Sequence, residues 1–239
     1  MILDQHTTRQ ILRTQAFRLC DRYKNVTKQI PVMSTTVQFR SYCEEKQKSK
    51  HLPQLMEFPP IVFPSLINFI KNWLFANFII RPYFENEFSL HEFIEASKHA
   101  VQVVSDALQR NDFQSLEGIV EKDAISALKT AVSKLSVSQR HSLLVEKDDI
   151  FYAFPYQVGV IFDDADKRWV EITMCYHVLK GLKQIRESDD TSSLTLGSPE
   201  YKDKIFILNY RFIREFTKGV EDSWWINIVN HFQPQALGK

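Results

Sequence analysis

Residues Tyr201–Pro234, YKDKIFILNYRFIREFTKGVEDSWWINIVNHFQP, decide the fold. Phe206, Leu208, Tyr210 and Phe212 alternate with Ile207, Asn209 and Arg211, the period of two that a pleated strand needs to put one face in a core. Lys218-Gly219-Val220-Glu221-Asp222 supplies the glycine of a hairpin connection. A second strand then sets Trp224, Ile226 and Ile228 on one side and Trp225, Asn227 and Val229 on the other. The pair is expected to run antiparallel.

Two further strands are expected upstream, at 150–162 and 168–179, joined by the polar turn Asp163-Asp164-Ala165-Asp166-Lys167. In the second, Val170, Ile172, Met174, Tyr176 and Val178 form a core face, and Trp169, Glu171, Thr173, Cys175 and His177 a more polar one. Helices precede the strands. FSLHEFIEASKHAVQVVSDALQRND, residues 88–112, has Ser89 as cap, Glu92 in capping-box position and apolar residues at helical spacing from Phe93 to Leu108. Shorter helices are expected from Leu116 to Leu135 and from Val137 to Val145, and Arg186 to Lys204 has loop composition. Helices followed by antiparallel strands imply an α+β domain over 65–234, with 235–239 a tail.

Residues 51–64 are punctuated by proline and read as the end of a linker that begins at 43. SLINFIKNWLFANFII, Ser65–Ile80, follows as the most apolar stretch of the 239-residue chain. A helix of that length spans roughly 24 Å, short of a bilayer core of roughly 30 Å, and Asn68, Lys71, Asn72 and Asn77 interrupt it. Ser65 caps it and Pro82 stops it. Its apolar face, opposite Asn68 and Asn72, either packs on the domain or meets a membrane surface or partner; Trp73, Phe75 and Phe78 suit both.

Residues 1–42 hold seven Lys or Arg against two Asp, whereas the remainder holds 23 against 27. A basic head poor in acids, ending in Arg40-Ser41-Tyr42, has the composition of a mitochondrial transit peptide; a basic arm is the alternative. Cys20 and Cys43 lie in or beside it, so Cys175 stands alone in the body and no disulfide framework can be drawn.

Catalytic chemistry has thin support. Glu171, Cys175 and His177 share a strand face, which could form a nucleophile or ligand cluster, but strand alternation alone produces such coincidences. His91 and His99 are too far apart for one metal site, and no phosphate-cradling loop or nucleophile elbow is present. No catalytic, cofactor-binding or metal-binding residue is therefore expected. Arg211 and Arg214 are candidate partner contacts. So are Trp224 and Trp225, because adjacent strand residues point to opposite faces and only one indole enters the core.

The order of these elements, with FIEASKHAVQVVSDALQRNDFQSLEGIV at 93–120 and NYRFIREFTKGVEDSWWINIVNHF at 209–232, resembles the family of the C-terminal domain of the mitochondrial import-motor anchor, which includes a mitoribosome receptor and a large-ribosomal-subunit protein. The resemblance covers about residues 82–234 and is strongest to the branch that interacts with the m-AAA protease. It implies helices packed on a curved four-stranded antiparallel sheet, the nuclear-transport-factor-like cone, in a matrix protein peripheral to the inner membrane. For that branch it implies binding to m-AAA protease subunits and to a newly imported inner-membrane precursor, the calcium-uniporter regulator, in a chaperone-like role that protects the precursor and promotes its maturation. Contact with the mitochondrial ribosome through protein surfaces stays open. The mildly acidic body lacks a phosphate-seeking surface, so neither ribosomal RNA contact nor direct DNA binding is expected. A cone-fold isomerase or dehydratase is the competing class.

Overall fold

The computed structural model describes residues 51–162, 167–187 and 201–237. The transit-peptide reading of 1–42 and the polar stretches 163–166 and 188–200 lie outside them. Strands β1 (Ile150–Phe162), β2 (Arg168–Leu179), β3 (Ile205–Glu215) and β4 (Trp225–Phe232) form one sheet in that order. Every neighbour is antiparallel, and the helices complete the α+β architecture that alternation predicts.

Among the described residues the helices are α1 (Leu66–Phe75), α2 (Leu90–Arg110), α3 (Lys122–Ser133), α4 (Val137–His141) and α5 (Leu182–Glu187). Ser89 caps α2 by accepting from the Glu92 N–H, and Asn111 ends that helix in the left-handed region at φ 57°. A reciprocal capping box occurs elsewhere, between Ser136 and Gln139 at the start of α4. Val101, Val104 and Leu108 of α2 and Leu128 of α3 pack against Ile172, Met174, Tyr176, Leu208 and Tyr210 on the inner sheet face. These side chains form the main core.

Three expectations change. Residues 116–121 are not helical: Ile226 donates its N–H to the Ile119 carbonyl and accepts from the Glu121 N–H, because the open edge of β4 leaves both backbone groups needing partners. In β4, Phe212 faces Ile226 but Arg211 faces Ile228, so Asn227 is an extra residue in a bulge. Val229 consequently joins Ile226 in the inner core, where unbroken alternation would put Ile228. Finally, α1 does not stop before Pro82. A π-helical turn, Ala76–Ile80, leads into a last α-turn, Arg81–Tyr83, and the wider turn accommodates a proline that cannot donate to the preceding ladder.

The outer sheet face is covered as well. Residues 51–64, whose composition reads as a linker, form a strap that starts in the main core and crosses this face with Phe58, Ile61 and Val62. Ile61 packs with Phe154, Cys175, Ile207 and Phe232 in a second apolar cluster, flanked by Phe58, Val62 and Tyr156. Leu52 and Leu55 belong to the main core.

Candidate functional site

Helix α1 lies along β1, the other edge of the sheet, with its polarity inverted. Asn72 is 3% exposed; its Nδ2 donates to the Pro155 carbonyl at 2.8 Å and its Oδ1 accepts from the Val158 N–H at 2.8 Å. One amide thereby supplies the donor and acceptor that a fifth strand would have offered. Ala76 and Ile80 are buried on the same side, and Phe75 is partly buried against the core.

The apolar face expected to seek cover points away. Leu66 is 85% exposed, Phe69 65%, Trp73 52% and Phe78 58%, with Ile67, Ile70 and Leu74 also exposed. Trp73 and Phe78 meet edge to face at 5.8 Å between ring centres. Among the described residues, nothing covers this face. A contiguous apolar surface of this kind marks an interaction site, and no described helix is long and apolar enough to cross a membrane.

The other candidate contacts fare differently. Arg214 is occupied: Nη1 bonds both Glu85 carboxylate oxygens at 3.2 Å, Nε donates to the Asp222 carbonyl at 3.0 Å, and the guanidinium lies over Phe216. Arg211 donates through Nε to Asn227 at 2.8 Å and pairs with Glu171 at 3.5 Å. Trp224 precedes β4 and packs on the core side with Phe88, Phe93 and Phe216. Trp225 faces the outer side beside Trp169, 6.2 Å away, half-buried.

Glu171, Cys175 and His177 do share a face, but it is not polar surface. The strap covers part of it, and each group is engaged separately. Cys175 is fully buried and its thiol donates to the Ile61 carbonyl at 3.3 Å; burial pushes its pKa up to about 12, against a smaller opposing effect of Asn209. A thiol held protonated is a poor nucleophile. His177 Nε2 lies 2.7 Å from the Val62 carbonyl, and Glu171 is the partner of Arg211. His99 contacts Lys147 through Nε2. No group of three or more metal-ligating residues occurs among the described residues. His231 is buried and takes a 2.7 Å hydrogen bond with the Tyr210 hydroxyl. Burial, helped by the Lys180 charge and opposed by a backbone bond with Leu143, pushes its pKa down to about 3.

Sequence reasoning missed the buried amides of the outer face. Asn209 clasps one residue of the strap, its Oδ1 accepting from the Ile61 N–H at 2.9 Å and its Nδ2 donating to the Ile61 carbonyl at 2.9 Å. Asn230, opposite it across β3 and β4, accepts from the Leu55 N–H at 2.8 Å; Gln233 accepts from the Leu52 N–H at 2.8 Å. The available signal was the position of Asn209 and Asn230 inside strongly apolar strands.

Sheet, helices and an outward-turned apolar helix together define an α+β domain with a hydrophobic interaction surface. No family model matches the chain. It is 32% identical over 196 residues to m-AAA protease-interacting protein 1, mitochondrial, of Rattus norvegicus, and 31% identical over 196 residues to that of Homo sapiens; each alignment covers 80% of this chain. The bovine relative is 28% identical over 209 residues, covering 84% of this chain and 72% of the relative. The chain belongs to this family of mitochondrial m-AAA protease-interacting proteins. The match spans 66% of the rat and human relatives' own length, just under two thirds.

Proposed function

We propose that this protein is a non-enzymatic adaptor of the mitochondrial matrix, peripheral to the inner membrane. It binds the m-AAA protease and holds a newly imported inner-membrane precursor, the calcium-uniporter regulator, until that precursor matures. The observation that carries this reading is the outward apolar face of α1, from Leu66 to Phe78, held in place by the inward amide of Asn72. Such a face loses its unfavourable contact with water when it meets a lipid interface or an apolar partner surface. The names of the relatives support the protease as partner. The separate engagement of Glu171, Cys175 and His177 supports binding rather than catalysis.

The test is the triple variant Phe69→Ser, Trp73→Ser and Phe78→Ser, expressed in mitochondria. Sedimentation with membranes and recovery with the protease from gently solubilised organelles are expected to fall at least ten-fold while the circular dichroism of the purified variant is unchanged. Full retention of both associations would remove α1 as the docking surface.

A further inference from the structure

The strap is an imperfect occupant of its own seat. Asn230 is fully buried, and its Nδ2 has no hydrogen-bond partner although its Oδ1 holds Leu55. One residue earlier, the Val229 N–H is met only by the thioether sulfur of Met56 at 3.3 Å, a weak acceptor. Two donors of β4 thus lack the oxygen acceptors that the carbonyls of an extended chain offer. Asn209, by contrast, grips the strap only at main-chain atoms, the N–H and C=O of Ile61, so that grip does not depend on the side chain presented. Beside the strap an open groove of about 640 Å³ runs over Tyr156, Gln157, Glu171, Thr173 and Arg211.

We propose that the outer face of the sheet, over Asn209, Asn230 and the β4 edge, is a groove for an extended apolar peptide segment of a partner protein, and that residues 56–62, beyond the core-anchored Leu52 and Leu55, fill it in cis as a displaceable stand-in. The amides read the backbone of any extended chain. The apolar cluster of Phe154, Cys175, Ile207 and Phe232 takes an aliphatic side chain where Ile61 now sits. A segment with a carbonyl in place of the Met56 sulfur gains a hydrogen bond that the strap lacks, which is what allows exchange. Backbone hydrogen bonds then give affinity and the apolar well gives selectivity. Helix α1 has no part in this, so the groove goes beyond the adaptor reading and does not rest on it.

The probe is a fluorescein-labelled peptide of residues 51–64, added to the full chain carrying Cys20→Ser and Cys43→Ser. Ile61→Asp, which loosens the strap and leaves the groove intact, is expected to tighten probe binding at least ten-fold, and Asn209→Ala added to it to reverse the gain. Ile61→Cys opposite Cys175 provides a lock: oxidation is expected to abolish binding and dithiothreitol to restore it. Binding indifferent to all three changes, or no saturable binding to the Ile61→Asp chain, overturns the proposal. Hydrogen exchange decides independently if the variants misfold. In the unsubstituted chain the Ile61 amide is expected to exchange through an opening that leaves β2 and β3 protected; exchange only with global unfolding overturns the proposal. Neither membrane nor protease enters these experiments, so their failure is distinguishable from failure of α1 as a docking surface.

Discussion

The side-chain oxygen of Asn72 accepts the Val158 N–H at 2.8 Å, and that bond decides which way α1 faces. A helix that satisfies a sheet edge with its polar residue must turn its apolar residues to the outside. Asn72→Ala removes both edge bonds, leaving the Val158 N–H and Pro155 carbonyl without this partner. We expect a loss of about 1–3 kcal/mol, read as a lowered urea midpoint at unchanged slope.

The exposed side chains of α1 contribute little to folding. Trp73→Ser and Phe69→Ser are expected to shift stability by no more than about 0.5 kcal/mol each, measured by the same denaturation. A much larger loss would show that this face is covered in the isolated protein.

Arg214 is predicted to act as a brace between the segment after α1 and the β3–β4 hairpin. Its pair with Glu85 is only partly shielded, at 24% and 35% side-chain exposure, so a double-mutant cycle of Arg214→Met and Glu85→Gln should return a coupling of about 0.5–1 kcal/mol. Additive effects would show that the bond to Asp222 and the Phe216 stack carry the brace.

Stability should depend on acid through His231. Its folded pKa, near 3, lies below the unfolded value of about 6.5, so the unfolded chain binds the extra proton between those limits. The contribution is complete above pH 6.5 and is lost as pH falls toward 3, by up to about 1.4 kcal/mol per pH unit. His231→Gln should flatten the acid limb of a stability–pH curve; an unchanged slope would place the acid sensitivity in other groups.

Cys175 is expected to resist alkylation in the native protein, being buried and protonated at neutral pH. Peptide mapping after iodoacetamide treatment should find it unmodified, and Asn209→Ala, which releases the Ile61 peptide, should speed modification at least ten-fold. Equal rates would mean that Asn209 does not limit access to the thiol.

Periodicity carried the sheet. The bounds expected for β1 and β2, 150–162 and 168–179, match those observed, and α2 starts at its Ser89 cap, because strict alternation and a cap–stripe combination are local signals. What alternation could not show was long-range pairing. Residues 116–121 carry Leu116, Ile119 and Val120 at helical spacing, yet they bond to Ile226, more than a hundred residues away. The apolar face of α1 was legible, but its direction hung on Asn72, an interruption in the sequence and an edge cap in the fold. Likewise, Asn209 looked like solvent-facing alternation, whereas proline-rich residues 51–64 lie over it. Cys175 and His177 came together as alternation predicts, with the strap's backbone as their partner.

The extra residue at Asn227 works like a comma in β4. Without that pause every later side chain would swap sides: His231 would leave Tyr210 for the strap, and Asn230 would sink among the leucines. Deleting Asn227 should therefore leave both faces as they are, since Ile226, Ile228 and Val229 would then alternate regularly, whereas pairing the intact strand without its bulge would exchange them; the cradle for residues 56–62 rests on this one miscount.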